Sequence, residues 1–578
     1  MKNLFLLLAL ITNTLQAIAQ QDIAADAIDS RWMKSKYTKA EYMIPMRDGV
    51  KLYTAVYIPK NKKTTHPILL LRTPYECQPY GKKSVTLHEQ EQLHNYLRSE
   101  YILIFQDVRG RGMSEGEFVN VRPYIENKQG SADIDESSDT YDTIEWLLRK
   151  VKKHNGNIGL YGSTYDGFYA VMGAACGHSA IKAISAQAPI VDLFKGDYLY
   201  RNGVLTPTSA LPLLQKLSNE ATADSVSNLS QLGDKLPFVN EMLTHPNYDS
   251  WWQERALTRV ADRINRPTLL AGGVYNSENP YGAWALYHTS RKQTPSLDCR
   301  LVIGPWDNSA WHGQNTSNPL ESDESTEMLS TISFHNEIEF PFFEYHLRNV
   351  GNGGVQTKSF VYFTGEECWR EMDEWDVRER DSVKLFLGEG AMLTFDTPSA
   401  IDSFNTYLSD TKRPIPYNNT SPAAENQRED MVTLSSPTLE EDLTIAGSIS
   451  ATLYAAISQS DADFVVTIID VGPDEEYESV VCRDILRGRY RNSISEPSAM
   501  LPNEVEKLAL NMVDVAHTFL AGHHIKVQIQ SSLSSLFEPN PQQFIDINSA
   551  SANDFVPCEV KIYHDTAHPS TITIPTMR

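Results

Sequence analysis

The segment from Asn157 to Gly167 reads N-I-G-L-Y-G-S-T-Y-D-G and runs straight into the apolar stretch FYAVMGAAC. An apolar run, a tight glycine-flanked turn and a helix describe a strand-to-helix elbow, where small residues let the chain turn sharply and lift one side chain above a sheet. Such an elbow needs strands beside it. HPILLLRTP (68–71), YILIFQDVR (102–105) and NIGLYGS (158–161) supply candidate buried strands. Between the last two, residues 139–152 (DTYDTIEWLLRKVK) place Tyr141, Ile144, Leu147, Leu148 and Val151 on one helical face. Strand, helix, strand is a parallel crossover, so the region from Tyr42 to about Gly196 predicts a mostly parallel sheet flanked by helices.

From Asp197 to Arg263 the chain turns polar and helical, and then PTLLAGGVY and CRLVIGPW return as buried strands. A helical cap inserted into the sheet domain accounts for that interruption. After about Gly351 the texture changes to short strands separated by turn residues, such as KSFVYFTG, SVKLFLG, DFVVTIIDVG and HHIKVQIQSS. Strands at this spacing without helices predict a β-sandwich of jelly-roll type. The expected division is 20–350 for the α/β domain, with the cap at 197–263, and 351–578 for the sandwich. Residues 1–19, with Lys2, an apolar run from Leu4 to Ile11 and the small-residue site Ala17-Ile18-Ala19, read as a secretory signal peptide. The run falls short of the roughly 20 residues that span a bilayer, so a periplasmic or secreted protein without a membrane span is expected.

Lys and Arg total 51 against 74 for Asp and Glu, a net charge of -23 over 578 residues. A surface of that sign repels phosphate backbones, which argues against nucleic acid as a partner. The six cysteines are scattered without a CxxC pair or a Cys/His cluster, so no zinc site and at most one or two incidental disulfides are expected.

With the elbow at its centre, a series of motifs resembles the cocaine esterase and X-prolyl dipeptidyl-peptidase group of α/β-hydrolases (CocE/NonD, peptidase S15), and within it the α-amino acid ester hydrolases. The matching stretches run in order along nearly the whole mature chain: MRDGVKL, LRTPY, QDVRGRGMSEG, NGNIGLYGSTYDG, AQAPIVDLFKGD, GGVYNSENPYG, GPWDN, VVTIIDVGPD, RYRNS and AHTFLAGHHIKVQIQSS. The resemblance implies an α/β-hydrolase domain with an inserted helical cap and a C-terminal jelly roll. It also implies acyl-transfer chemistry on esters or amides, without a metal or organic cofactor. The family's elbow reads G-x-S-Y-x-G with the nucleophilic serine third, and here that position is Thr164. Taking Ser163 as the nucleophile instead would put Tyr161 where the turn needs a small residue.

The family's acid follows G-G-x-[YF] and its base closes G-P-W-x-H; those positions read Asn276 and Asn308. A hydroxyl is a poor nucleophile without an imidazole to take its proton, and asparagine has no titratable group near neutral pH. An internal threonine also lacks the N-terminal amine that activates catalytic threonines, and a β-branched residue fits strained elbow geometry badly, so a relaxed elbow is expected. The family's oxyanion hole falls on the Tyr165 backbone N–H and the Tyr75 hydroxyl, and its ammonium-binding carboxylates on Glu278, Asn279 and Asp197. His312, Asp307 and Glu278 are the residues from which a displaced catalytic set could be built. His178 reads as a helix-end histidine, QDVRGRGMSEG as a charged scaffold loop, Trp306 as pocket wall or core, and His517, His523 and His524 as sandwich residues.

Two functions compete. The first is a triad-deficient pseudoenzyme that binds a small ester, amide or peptide ligand, or a protein partner. The second is an active amino acid ester hydrolase or dipeptidyl-peptidase relative with a rearranged site. A carbohydrate-binding role for the sandwich would rest on fold analogy alone. A homo-oligomer is compatible with either.

Overall fold

The computed structural model describes residues 28–85, 87, 90–218, 229–275, 280–307, 311, 331–375, 381–413, 428–475 and 477–577. The apolar runs of the first half pair into one ten-stranded sheet. Its strands are β1 (Tyr37–Pro45), β2 (Lys51–Pro59), β3 (His66–Thr73), β4 (Ile102–Asp107), β5 (His154–Ser163), β6 (Ile181–Gln187), β9 (Thr268–Gly273), β10 (Cys299–Gly304), β11 (Ser359–Phe363) and β12 (Cys368–Met372). The order is β1-β2-β4-β3-β5-β6-β9-β10-β11-β12, parallel from β4 to β11 and antiparallel at both edges. Helices α1 (Glu136–Lys150), α2 (Tyr165–Ala174), α5 (Gly282–Gln293) and α6 (Phe340–Arg348) flank this sheet, while α3 (Pro207–Leu217) and α4 (Pro237–Thr244) belong to the cap.

The parallel strands at the centre are buried on both faces, as a parallel sheet requires. In β3, Ile68 and Leu70 pack with Ile144 and Leu147 of α1 and Phe168 of α2, whereas Leu69 joins Leu103 with Phe342 and Phe343 of α6. Helix α1 starts where Asp135 and Ser138 form a reciprocal capping box. Tyr141, expected on its apolar face, is instead 39% exposed, its ring edge-on to His178 at 4.9 Å.

The cap enters between β6 and β9, as expected, but opens with a small hairpin of β7 (Tyr200–Arg201) and β8 (Val204–Leu205). A second difference lies at the domain junction. KSFVYFTG, read from the sequence as a sandwich strand, is β11, which pairs in parallel with β10 through Leu301 and Ser359. The first sheet therefore runs on to Met372, past the expected boundary at 350. The physical reason is α6, which makes the crossover a parallel neighbour needs; a short strand reads the same in either sheet.

The remaining strands are β13 (Ser382–Leu387), β14 (Leu393–Thr394), β15 (Phe404–Ser409), β16 (Met431–Ser435), β17 (Leu443–Ile457), β18 (Asp463–Val471), β19 (Glu478–Arg487), β20 (Glu506–Phe519), β21 (His524–Gln530), β22 (Cys558–Tyr563) and β23 (Thr571–Pro575). They form a seven-stranded sheet, β14-β13-β23-β17-β22-β15 with β20 on β17, and a four-stranded sheet, β16-β21-β18-β19. Leu385, Ile449, Leu453, Ile468, Val527 and Ile562 share the core of this β-sandwich. Val204 of the cap hairpin packs with Val465, Ile485 and Phe537 of the sandwich. At the turn after β11, Thr364 donates its N–H to the Ala516 carbonyl of β20 and accepts from the Thr518 N–H at 2.8 Å. His517 meets the Thr364 hydroxyl at 2.8 Å, so this histidine fastens the two domains. All six cysteines are free. Among the described residues no helix is long and apolar enough to cross a membrane.

Buried ion pairs stiffen the sandwich rim. Arg487, 2% exposed, bonds both oxygens of Asp463 at 2.9 Å, and Asn540 donates to the same carboxylate at 2.8 Å. Truncating one partner strands the other charge, so Arg487→Ala should cost about 3–5 kcal/mol in urea denaturation. Arg47→Ala, which removes the more accessible Arg47–Asp142 pair, should cost less than about 1 kcal/mol. Equal losses would show that burial does not set the cost.

Candidate active site at the elbow

Strand β5 ends at Ser163 and α2 begins at Tyr165, so Thr164 alone occupies the turn. Its backbone sits at φ 54° and ψ -112°, outside the left-handed well that turn residues usually find. The elbow is not relaxed, contrary to the expectation from its β-branched side chain. Hydrogen bonds on both sides hold it: the Thr164 N–H donates to Gln187 O at 2.8 Å, and its carbonyl accepts from Phe168 and Ile190 N–H groups at 3.2 Å. The flanking glycine at 162 is required by contact, and the one at 167 sits in tight space. A Cβ on Gly162 would lie 2.5 Å from the Asp166 carbonyl, and one on Gly167 would lie 3.1 Å from both the Gly162 carbonyl oxygen and Pro189 Cα.

The Thr164 side chain is 3% exposed, and no histidine among the described residues is hydrogen-bonded to it. Tyr165 opens α2, and its side chain is locked in the core by an N–H···O bond from Val121 at 2.7 Å and a hydrogen bond to Asn120. Tyr75 stands edge-on to the Tyr165 ring at 6.3 Å. Burial pushes its hydroxyl well above the usual tyrosine range, so it stays a proton donor. The structure therefore brings Thr164, Tyr165 and Tyr75 together.

Asp197 joins them through the backbone. Its Oδ2 accepts from the Val191 and Asp192 N–H groups at 2.8 and 2.7 Å, next to the Ile190 N–H that holds the elbow. The residue is fully buried, Oδ1 has no hydrogen-bond partner among the described residues, and burial pushes the carboxyl up to about 7. Asn276, Glu278, Asn279, Asn308 and His312 lie outside the described residues.

Two functional neighbours escaped the sequence reading. Asp166, inside the elbow motif, has an enclosed Oδ1 without a hydrogen-bond partner among the described residues. Burial pushes its carboxyl up to about 7, while the Thr73 hydroxyl and the Lys216 ammonium pull it down. The motif marked its position but not its burial. Lys216, at the end of cap helix α3, lies with Nζ 3.8 Å from the centre of the Tyr75 ring. Burial lowers its amine and Asp166 opposes that shift. No local signal announces a contact made across 141 residues, the separation of positions 75 and 216.

QDVRGRGMSEG turns out to be the frame of this site. Asp107 accepts from the Cys77 N–H at 2.6 Å and the Tyr80 hydroxyl at 3.0 Å, fixing the chain after Tyr75. Arg111 donates to Pro74 O at 2.8 Å and to Leu217 O at 2.6 Å, tying the Tyr75 loop to the cap next to Lys216. Arg109 spans Asp48 and Asp139. His178 is structural, bonded to Glu145 at 3.0 Å and to the Ala180 N–H at 3.0 Å. Trp306 is core at 3% exposure, and a Cβ on Gly304 would strike its ring at 2.5 Å, which explains the G-P-W sequence. Among the described residues no group of three or more His, Cys, Asp or Glu is gathered to hold a metal.

The elbow geometry predicts a gain from glycine. Thr164→Gly removes the positive-φ penalty at some cost in chain entropy and should raise stability by about 1 kcal/mol in urea denaturation; a loss would mean the turn is unstrained. Asp166 predicts a pH effect. Its unfolded carboxyl ionises near 4 and its folded one near 7, so the native state pays a growing penalty as pH rises through that window. The melting temperature of Asp166→Asn relative to the natural chain should climb between pH 4 and 7 and then level off. A pH-independent difference would show that the folded carboxyl titrates normally.

Comparison with known proteins agrees with this architecture. Residues 48–309 match the model of the X-Pro dipeptidyl-peptidase (S15 family), and residues 348–573 that of the X-Pro dipeptidyl-peptidase C-terminal non-catalytic domain. The cocaine esterase of Rhodococcus sp. (strain MB1 Bresler) is 26% identical over 591 residues, spanning 93% of this chain and 98% of the relative. An aminopeptidase from the marine sediment archaeon Thaumarchaeota archaeon superposes with a TM-score of 0.85 at 29% identity, over 94% of this chain and 97% of that one. An α-amino acid ester hydrolase superposes with a TM-score of 0.84 at 30% identity over the same shares. With both domains matched and the sheet order and elbow in place, the chain belongs to the CocE/NonD (S15 X-Pro dipeptidyl-peptidase) family of α/β-hydrolases.

Proposed function

We propose that the elbow binds an ester, amide or peptide ligand with little or no turnover, in a protein exported to the periplasm or beyond. The observation that carries this reading is Thr164 at the turn, without a histidine bonded to it among the described residues. The sequence adds Asn276 and Asn308 at the positions of the family's acid and base. Among the described residues no imidazole reaches the hydroxyl, and an unactivated hydroxyl is a poor nucleophile for forming an acyl intermediate. Binding has better support. The Tyr165 N–H, at the first turn of α2, and the protonated Tyr75 hydroxyl suit a carbonyl oxygen, and the unpartnered Asp197 Oδ1 suits a ligand ammonium. Export rests on the signal-peptide pattern of residues 1–19, which lie outside the described residues.

A second reading, a rearranged active hydrolase, is favoured by Lys216 on the Tyr75 ring, whose lowered amine is the kind of group that can serve as a base. One experiment separates the two. The protein recovered from outside the cytoplasm is treated with a fluorophosphonate and its intact mass is compared with that of the triple variant Thr164→Ser, Asn276→Asp, Asn308→His. The expected result is a chain starting at Gln20, unmodified in its natural form, with one adduct on the variant. Stoichiometric labelling of the natural chain overturns the non-catalytic reading, and a mass that includes residues 1–19 overturns export.

A further inference from the structure

Away from the elbow, a cavity of about 350 Å³ lies between the hydrolase domain and the sandwich, far above the ~10–15 Å³ that houses one water. Positions 281, 284, 285, 288 and 289 of the α5 segment line it at helical spacing, facing residues 511–514 of β20 and Asp484 of β19. None of Thr164, Tyr75, Tyr165, Asp166 or Asp197 borders it. Domain interfaces are where small-molecule sites are commonly built, with an apolar wall and a few placed charges.

The wall is Trp284, whose indole is nearly parallel to the His288 ring (18°) at 6.5 Å and tilted against Trp375 at 4.9 Å. The two carboxylates on the sandwich side are already engaged. Asp514 accepts from His288 at 2.6 Å and from the Trp375 indole N–H at 2.7 Å. Asp484 accepts from the Asn202 amide and from the Ile485 N–H, and pairs with Arg201 at 3.8 Å. Lys195 differs. Its Nζ lies 4.6 Å from the centre of the Tyr248 ring and makes no hydrogen bond or ion pair among the described residues. The neighbouring Asp192 is occupied by the Tyr248 hydroxyl at 2.5 Å and by the Phe194 and Lys195 N–H groups. Among the described residues, the cavity thus presents, beside a flat aromatic wall, the Lys195 ammonium, which no hydrogen bond or ion pair engages although its charge also acts on Asp192.

We propose that this cavity binds a small monoanion with a planar apolar body, an aryl carboxylate, with the carboxylate at Lys195 and the ring against Trp284. Held by Lys195 and Trp284 of the hydrolase domain, such a ligand also faces Asp484 and residues 511–514 of the sandwich, so it should favour their docked arrangement and raise the melting temperature as well as bind.

The test is calorimetric titration with 2-naphthoate at pH 7, alongside 2-naphthylmethylammonium and acetate, with melting curves of each protein. The natural chain should bind one 2-naphthoate and neither control. Lys195→Gln should weaken binding at least tenfold while melting close to the natural chain without ligand, because a cation over the Tyr248 ring is the one side-chain contact it loses among the described residues and the glutamine stem keeps most of the packing. Ala285→Phe, which fills the cavity, should abolish binding. Tyr75→Phe, at the elbow, should leave it intact. The proposal is overturned by absence of binding, by preference for the cation, or by binding that survives Lys195→Gln and Ala285→Phe. Binding lost only in Tyr75→Phe also overturns it and assigns the anion to the elbow, leaving the reading of the elbow itself standing.

Discussion

The turn at Thr164 is the constraint on which the rest of the molecule depends. Its peptide N–H is committed to β6 through Gln187, its carbonyl is shared between the first turn of α2 and Ile190, and its φ of 54° is the consequence. Those three bonds fix where β5 stops, where α2 starts and how the chain leaves β6. Strain of this kind persists only where surrounding structure over-determines it. Here the surroundings are two parallel strands and a buried helix, so the backbone keeps the elbow whatever side chain occupies it. Retained elbow geometry is therefore evidence about the sheet and says little about turnover.

The second tier is the charged loop that follows β4. Asp107, Arg109 and Arg111 lie at or below 7% exposure, and each charge is spent on backbone or on a carboxylate. Arg111 is the pivotal member. By bonding the carbonyls of Pro74 and Leu217 it sets Tyr75 and Lys216 in one frame, and the ammonium then rests on the tyrosine ring. A guanidinium suits this role because its donors fork in a plane toward two acceptors, which a lysine cannot do. The Tyr75 side of the elbow is thus assembled from three distant segments, the β3 loop, the β4 loop and the cap.

The domain junction follows a different logic. It is sealed by small tight contacts, the β11 turn on β20 and Val204 on the outer face of the four-stranded sheet, with the His288–Asp514 bond and the Arg201–Asp484 ion pair between them. Close packing at both ends and a cavity in the middle leave Trp284 with a wall to offer and Lys195 with a charge to place. Binding there would couple the sandwich to the hydrolase domain without involving the elbow.

The sequence by itself determined the parallel sheet, the cap between β6 and β9, the sandwich and the location of the elbow. Those features are local: apolar runs, helical spacing and closely packed glycines at positions 162 and 167. It also supplied the identity of Thr164 at the turn. Tertiary structure decided what local pattern cannot encode. β11 joined the first sheet because α6 carries it back in parallel, and the elbow stayed strained because two long-range bonds, to Gln187 and from Ile190, together with the first bond of α2, outweigh the preference of a β-branched residue. Asp166 was in plain view within the motif, but only the closure of Tyr75, Thr73 and the cap around it turned a surface-like aspartate into a carboxyl that titrates near 7. Lys216 and Lys195 acquired meaning solely from rings that lie far from the first in sequence and about 50 residues from the second, because a cation becomes a site only when folding decides what stands beside it.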